Sequence, residues 1–407
     1  MKKKYTYILF LTIITALYSC KGKITEAKSD NNTLDSSQIL NLRFNPMDSL
    51  KQGSLILASK LYDSVSYVPL QTSKLSVFTE IDQLEVTDKY FIILDNGTKA
   101  ILIFNKNGLF HKKIADVSTN SFSVDYLNGQ IAFVDNNEAG TLVYYDFDGN
   151  YLKKEHLGIQ YFSFAILGKE KIGYRSFEKM GIDTNVFRNF SLFSNLIYFK
   201  EKSITTGYLP YDTAAVNPKE VANTQKNFYK SGDDLFFIKP FDYYIYKITT
   251  DKVTKAFHIS LPDDFCVPGD FCFNKKYLNN RRSYIAKHPD MVTLFSDFYN
   301  TKGNLFIKFY STSGSTMDFF HYNFKTKKLV PFSHIASDSV SNFLPLGMHG
   351  LASDGKTLFT SVQSSFLIKS RADSKSDWPQ LPLVLTNFFT TENNRSNPVI
   401  IKLYPKI

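Results

Sequence analysis

A turn pattern that recurs after forty residues, apolar runs without polar alternation, and four further copies at similar spacing predict an all-β chain. The architecture they imply is a six-bladed β-propeller of four-stranded antiparallel blades, its N- and C-terminal strands closing the ring. The stretch "YFIILDNGTKAILIFNKNGLFHKKI", Tyr90 to Ile114, is answered by "IAFVDNNEAGTLVYYDFDGNYLKKEHL" from Ile131. Asp95 matches Asp135, and Gly108 matches Gly149. Each copy has a wholly apolar run (Phe91–Leu94; Ile131–Val134), a polar turn and a second apolar run (Ala100–Phe104; Leu142–Tyr145). An "NKNG" or "DFDG" turn and a mixed strand then follow. Asn-Gly and Asp-Gly turns mark hairpins, and an apolar run without alternation marks a strand buried on both faces. Each unit therefore reads as a small antiparallel sheet whose first run is the most buried.

The third copy is "EKIGYRSF" with "FSLFSNLIYFKEKSI", and the fourth runs from Asp233 to Ile259. The fifth runs from Gly303 to Ile335, and "GKTLFTSVQSSFLIK" begins a sixth. Residues 58–407, less two insertions near 205–227 and 262–300, allow about 48 residues per blade, close to known propeller repeats. A β-sandwich also uses short strands but does not repeat one turn pattern at this period. Apolar "VIIKLY" near the end and "SVSYVPL" near the start are expected to pair in one blade, hiding sheet edges that otherwise invite aggregation.

The chain begins with Lys2, Lys3 and Lys4, then "YILFLTIITAL", an apolar run too short for a comfortable membrane span. Residues 1–19 read as a signal peptide. Leu17 to Cys20, "LYSC", resembles the lipobox of bacterial lipoproteins, which implies cleavage before Cys20 and a membrane partner through acyl chains on it. Residues 20–57 are read as the lipidated cysteine and a flexible tether, and 58–407 as the propeller. Lys-Gly-Lys follows Cys20 where surface-exposed lipoproteins of Bacteroidetes carry acidic residues, which favours the periplasmic side of the outer membrane. The net charge of +10 includes the three leader lysines and contains no basic run of five, which argues against a nucleic-acid partner.

Three stretches, "DSVSYVPLQT" (63–72), "NFYKSGDDLFFIKPFDYYIYKIT" (227–249) and "NPVIIKLYP" (397–405), together with the opening repeat, carry a wider likeness. The chain resembles the six-bladed β-propeller lipoproteins of Bacteroides-type bacteria, in which the first and last of these close the ring. Family members commonly carry a Gly-x-Gly-Pro-Gly-Glu-Tyr loop after the first blade; this chain has "ADVSTNSFSVD", so no role of that loop transfers.

Phosphate-loop, HExxH, CxxC and G-x-S-x-G signatures are missing from the sequence, and no catalytic residue, metal ligand or cofactor is assigned. His111, His156, His258 and His334 recur near the outer end of a repeat, a structural strand-edge position. His349 precedes an inner strand, where it either satisfies a turn or faces the central channel. The 37 Phe and 25 Tyr suit blade packing, and with one Trp, Trp378, sugar platforms are the lesser reading.

Insertions on a repeat fold gather on one face, often the binding face. Tyr208 and Tyr211 in the first insertion and Arg281 and Arg282 in the second are therefore candidate ligand residues. The arginines read either as a solvated surface helix or as an anion clamp beside the pore. "CVPGDFC" places Cys266 and Cys272 around a Pro-Gly turn, as an exported disulfide or as two buried thiols. The expected function is that of a lipid-anchored binding or scaffold protein of the cell envelope, with a glycan, peptide or envelope-protein partner. The alternative is a channel-centred hydrolase or lyase of the lactonase type.

Overall fold

The computed structural model describes residues 39–45, 54–177, 193–200, 203–221, 226–312, 318–373 and 380–407. The leader 1–19, Cys20, residues 190–192 and 201–202 of the third copy, 222–225 of the first insertion, 313–317 of the fifth copy and Trp378 lie outside the described residues. Strand β1 (Leu40–Arg43), β2 (Ile56–Leu57), helix α1 (Ala58–Leu61) and β3 (Tyr62–Pro69) precede the repeats. The first sheet holds β4 (Gln83–Val86), β5 (Tyr90–Asp95), β6 (Ala100–Asn105) and β7 (Phe110–Ile114). The second holds β8 (Phe122–Asp125), β9 (Gln130–Val134), β10 (Thr141–Asp146) and β11 (Tyr151–His156). The third holds β12 (Ser163–Leu167), β13 (Glu170–Tyr174), β14 (Ser194–Lys200) and β15 (Ser203–Pro210).

Next come β16 (Phe228–Ser231), β17 (Asp234–Phe237), β18 (Tyr244–Ile248), β19 (Val253–Ser260) and α2 (Arg281–Lys287). A four-stranded sheet follows: β20 (Leu294–Thr301), β21 (Asn304–Tyr310), β22 (Phe319–Asn323) and β23 (Lys328–Pro331). The chain ends with β24 (Ile335–Ala336), β25 (Ala352–Ser353), β26 (Leu358–Val362), α3 (Ser364–Ala372), α4 (Leu383–Thr391) and β27 (Val399–Pro405). The whole is an all-β, propeller-like arrangement of small antiparallel sheets.

Six separate sheets were expected; instead β16–β19 and the group β25-β26-β27-β3 share one nine-stranded sheet. The fusion rests on one parallel residue pair, Ser231 with Ser353. Within that group β27 pairs antiparallel with β3 from Val399–Pro69 to Pro405–Tyr62, as the apolar termini suggested.

Alternate residues of one strand face different neighbours, which explains the apolar runs. Phe91 and Ile93 pack with Phe359 and Ile400 of the terminal group, while Ile92 and Leu94 pack with Ile131 and Phe133 of the second sheet. Burying each such side chain contributes about 1.5–3 kcal/mol. These runs are the second strands. They are as buried as expected, but each is preceded in its sheet by another strand (β4 before β5, β8 before β9) that carries polar residues such as Gln83 and Glu85, so the expectation that the apolar run is the first strand of its unit is corrected.

Two boundaries also change. The tether does not extend to residue 57: β1 adds in parallel to β19, with Leu42 and Phe44 buried, and β2 pairs with β24. The alternation in "LNLRF" supplies a half-buried edge strand, Leu42 inward and Asn41 outward. "SSFLIK" of the sixth copy lies in α3, because Leu367 docks one helix face onto the core beside Leu385 and Phe388 of α4.

Antiparallel pairing places the connections between strands one and two, and three and four, at one end of each sheet. This lower rim has turns of two to four residues, such as 126–129, 147–150 and 302–303. The long connections that follow β15, β19 and β23, and the one between β26 and β27, leave and re-enter their sheets at the upper rim.

Candidate functional site: the upper vestibule of the central channel

Residues of β4, β8, β12 and β16 converge on a narrow waist of about 60 Å³. Glu85 sits across it, accepting from Lys226 Nζ at 2.7 Å and Gln83 Nε2 at 3.1 Å through Oε1, and from the Tyr126 hydroxyl at 3.0 Å through Oε2. Lys230 Nζ stands 3.3 Å from the centre of the Tyr126 ring. Burial pushes the Tyr126 hydroxyl well up and the Lys230 ammonium down. Residues from three sheet groups are thus tied into one charged partition at the waist, between a lower and an upper pocket.

Below the partition a mouth of about 670 Å³ is lined by Asp88, Asp146, Asp148, Asp233 and Asp354, among others. Asp146 and Asp354 are engaged by their own turns: Asp146 accepts from Asn150 N at 2.8 Å and Asp354 from Thr357 N at 2.7 Å.

Above it a vestibule of about 530 Å³ opens to the upper rim, lined by Tyr229, Ser296, Asp297, Lys308, Tyr310 and His349, among others. Its floor comes from an irregular stretch of β20. The register runs from Ser296 opposite Lys308 to Tyr299 opposite Phe306, leaving Asp297 and Phe298 against one partner residue. Bulges of this kind re-aim a side chain. Asp297 takes the left-handed conformation (φ 49°), Phe298 is wholly buried among core aromatics, and the Asp297 carboxylate lines the vestibule.

Burial raises the Asp297 carboxyl above its ordinary range, while His349, Lys308 and Lys226 work in the opposite direction. Burial also lowers His349 below its usual range, with the Asp297 charge pulling the other way. Ser296 Oγ is close enough to favour the Asp297 charge but has no hydrogen bond of full geometry. Gly347 (φ 85°) and Gly350 hold the His349 loop tight: a Cβ would lie 2.8 Å from Ser361 O at the first and 2.8 Å from the Tyr299 ring at the second.

Of the residues singled out in the sequence, His349 alone lines this vestibule. The two insertions do share a face, but they interlock rather than clamp an anion. Arg281 is fully buried, donating to Phe271 O at 3.0 and 2.8 Å and to Ala215 O at 2.7 Å, with Glu220 Oε2 at 3.5 Å. The exposed Arg282 donates to Lys219 O. A guanidinium with no access to water needs carbonyls and a carboxylate; Ala215 and Glu220 of the first insertion and Phe271 of the second provide them. Tyr211 is buried with Phe177, Ala215 and Cys272. Tyr208 packs on Tyr198 in another cluster and donates to Asp251 O at 3.2 Å.

The expected bridge is not formed in this structure. Cys266 and Cys272 are free thiols, Cys266 turned to Leu261 O at 3.7 Å and Cys272 packed in the Tyr211 cluster. Three of the four repeat-end histidines lie on strands: His111 meets Asp148 at 2.8 Å, His156 meets Thr141 at 3.0 Å and His258 meets Asn41 at 3.1 Å, while His334 ends a short 3-10 turn instead. Among the described residues no three His, Cys, Asp or Glu side chains are grouped to hold a metal ion.

Fold and site together define a propeller-like protein with a partitioned channel and one polar, half-enclosed vestibule. Residues 42–404 match the family described as "Domain of unknown function (DUF4934)", and the chain belongs to that family. No curated protein matches it. Its structure is similar to that of a Bacteroides fragilis NCTC 9343 protein named as exported, with TM-score 0.68 and 17% identity over 91% of this chain and 100% of the other. A member of the duf4221 family from Bacteroides vulgatus ATCC 8482 matches with TM-score 0.41 and 11% identity over 88% and 99%. At this identity the first likeness speaks for the fold alone.

Proposed function

We propose that this chain is an exported binding protein of the bacterial envelope, anchored by lipid on Cys20 at the periplasmic side of the outer membrane. In this reading it is a closed six-bladed propeller that holds a small polar ligand in its upper vestibule. The observation that carries the binding role is the partition at Glu85. It stands at the base of the vestibule, whose other end faces the rim where the long insertions gather. Its volume of about 530 Å³ lies within the ~300–1,000 Å³ of ligand sites.

Six blades follow if the nine-stranded sheet is counted as two, joined only at Ser231 and Ser353 and closed by β27 with β3. Support for export comes from the leader and from the Bacteroides fragilis relative's name. The rival hydrolase or lyase reading draws on Asp297 facing His349, since opposed shifts of two titratable groups are common at catalytic sites.

Purified protein without the lipid, screened by thermal shift against envelope glycans and peptides, tests both. A ligand that raises Tm in the wild type, fails to do so in Thr312→Trp at the vestibule mouth, and is recovered unchanged supports binding. Recovery of a cleaved product favours the enzyme, and equal shifts in both proteins place the ligand elsewhere. For the anchor, Cys20→Ser is expected to move the protein from the membrane fraction to the soluble periplasm; retention on the membrane counts against lipidation.

A further inference from the structure

The vestibule floor combines opposite charges that do not cancel in a direct pair. Asp297 faces Lys308, Lys226 and His349, yet forms no ion pair among the described residues. Lys226 is held by Glu85 at 2.7 Å, and Lys308 Nζ lies 4.9 Å from the centre of the Tyr310 ring. Asp82, the other carboxylate of the lining, already accepts from Asn96 N at 2.7 Å. Ser296, 2% exposed, adds a hydroxyl in the same wall, near Asp297 but without a hydrogen bond of full geometry. A buried polar atom without a partner is costly unless something supplies the missing bond.

This lining sets both signs of charge close together. A cationic ligand meets Lys226 and Lys308, and an anionic one meets Asp297 and Asp82. A neutral ligand rich in hydroxyls donates to the Asp297 carboxylate and accepts from the Lys308 ammonium at once. Tyr310 in the wall supplies an aromatic ring, whose electron-rich face suits the C–H face of a sugar. The strain at Asp297 supports this reading, because left-handed non-glycine residues persist where the surroundings over-determine them, commonly at ligand sites.

Resting on the vestibule as the binding site, we propose that Ser296, Asp297, Lys308 and His349 form a subsite for a neutral, polyhydroxylated ligand, a short uncharged oligosaccharide.

Calorimetric titration with three probe sets separates the outcomes: short neutral oligosaccharides of hexose or N-acetylhexosamine, oligogalacturonates of equal length, and short peptides of either charge. The neutral sugars are expected to bind the wild type. Asp297→Asn and Lys308→Met should each weaken that binding roughly ten- to a hundredfold, the loss of a charge-assisted hydrogen bond.

Asp297→Gly is the control for folding. Glycine accepts φ near 49°, so this variant should melt at or above the wild-type temperature while losing the sugar. A residue with only a structural role would lower Tm instead. Neutral-sugar affinity unchanged in Asp297→Gly and Lys308→Met overturns the subsite. Preference for galacturonates or charged peptides, blocked by Thr312→Trp, leaves the vestibule standing and refutes the neutral class. Binding of none of the probes counts against both.

Discussion

The two rims of these sheets are built from the same strands and differ in almost everything else. At the lower rim the turns are short and side chains close them: Asp146 caps the "DFDG" turn through Asp148 N at 3.0 Å and Asn150 N at 2.8 Å. At the upper rim long connections bury their own aromatic clusters, and a strained Asp297 looks into open space. Carboxylates occur at both mouths, but Asp146 and Asp354 below serve backbone amides while Asp297 above serves none. A cluster of acids is thus informative only after its hydrogen bonds have been assigned.

The largest effect that separates the rims is expected at Arg281. Arg281→Ala leaves Glu220 without its cation and unpins Phe271 from Ala215, a loss of about 3–5 kcal/mol for a buried pair. Urea melts should report it, and limited proteolysis should cut first within 262–290 while the lower turns stay protected. Simultaneous loss of both rims would show that the interlock is not a separate unit.

Acid attacks the opposite end. His321 is buried between Phe306 and Tyr62 and meets Asn304 Oδ1 at 2.7 Å, and burial takes it down to about 3 from its usual 6.5. Between those values the unfolded chain binds a proton that the folded chain refuses. Stability from this group is complete above 6.5 and falls by roughly 1.4 kcal/mol per pH unit below it. His321→Gln should flatten that slope in melts between pH 7 and 5; an unchanged slope assigns the acid sensitivity to other groups.

Smaller effects complete the contrast. Asp146→Ala removes turn hydrogen bonds near solvent and should cost about 1 kcal/mol with no change in ligand affinity. Arg282→Ala removes one exposed contact and is expected to change stability by less than about 0.5 kcal/mol. A larger loss there would mean that the exposed arginine shares the staple's role.

The repeat made the second, third and fourth strands legible, because the second and third are buried on both faces and turn chemistry marks off the more exposed fourth. The inner strands were harder: "DQLEV" hides Gln83 and Glu85, whose partners lie up to 141 residues away. The β20 irregularity left a faint trace, two polar residues inside "LFSDFYN", as did Lys308 inside "LFIKFY". His349 was found because it precedes an inner strand. Arg281 was misread because nothing local in "NNRRSY" tells a buried guanidinium from a solvated one; the first insertion's carbonyls decide that. The edge strand β1 was missed because four residues of alternation stood inside a polar stretch.

The central claim is that the ligand enters from the upper rim, and lysine footprinting by mass spectrometry tests it most directly. The protein is labelled with and without the tightest-binding neutral oligosaccharide, comparing Lys308 in the vestibule with Lys89 at the lower mouth. The account predicts that labelling of Lys308 falls on addition of the sugar while that of Lys89 does not change. Protection of Lys89 with Lys308 unaffected would contradict it.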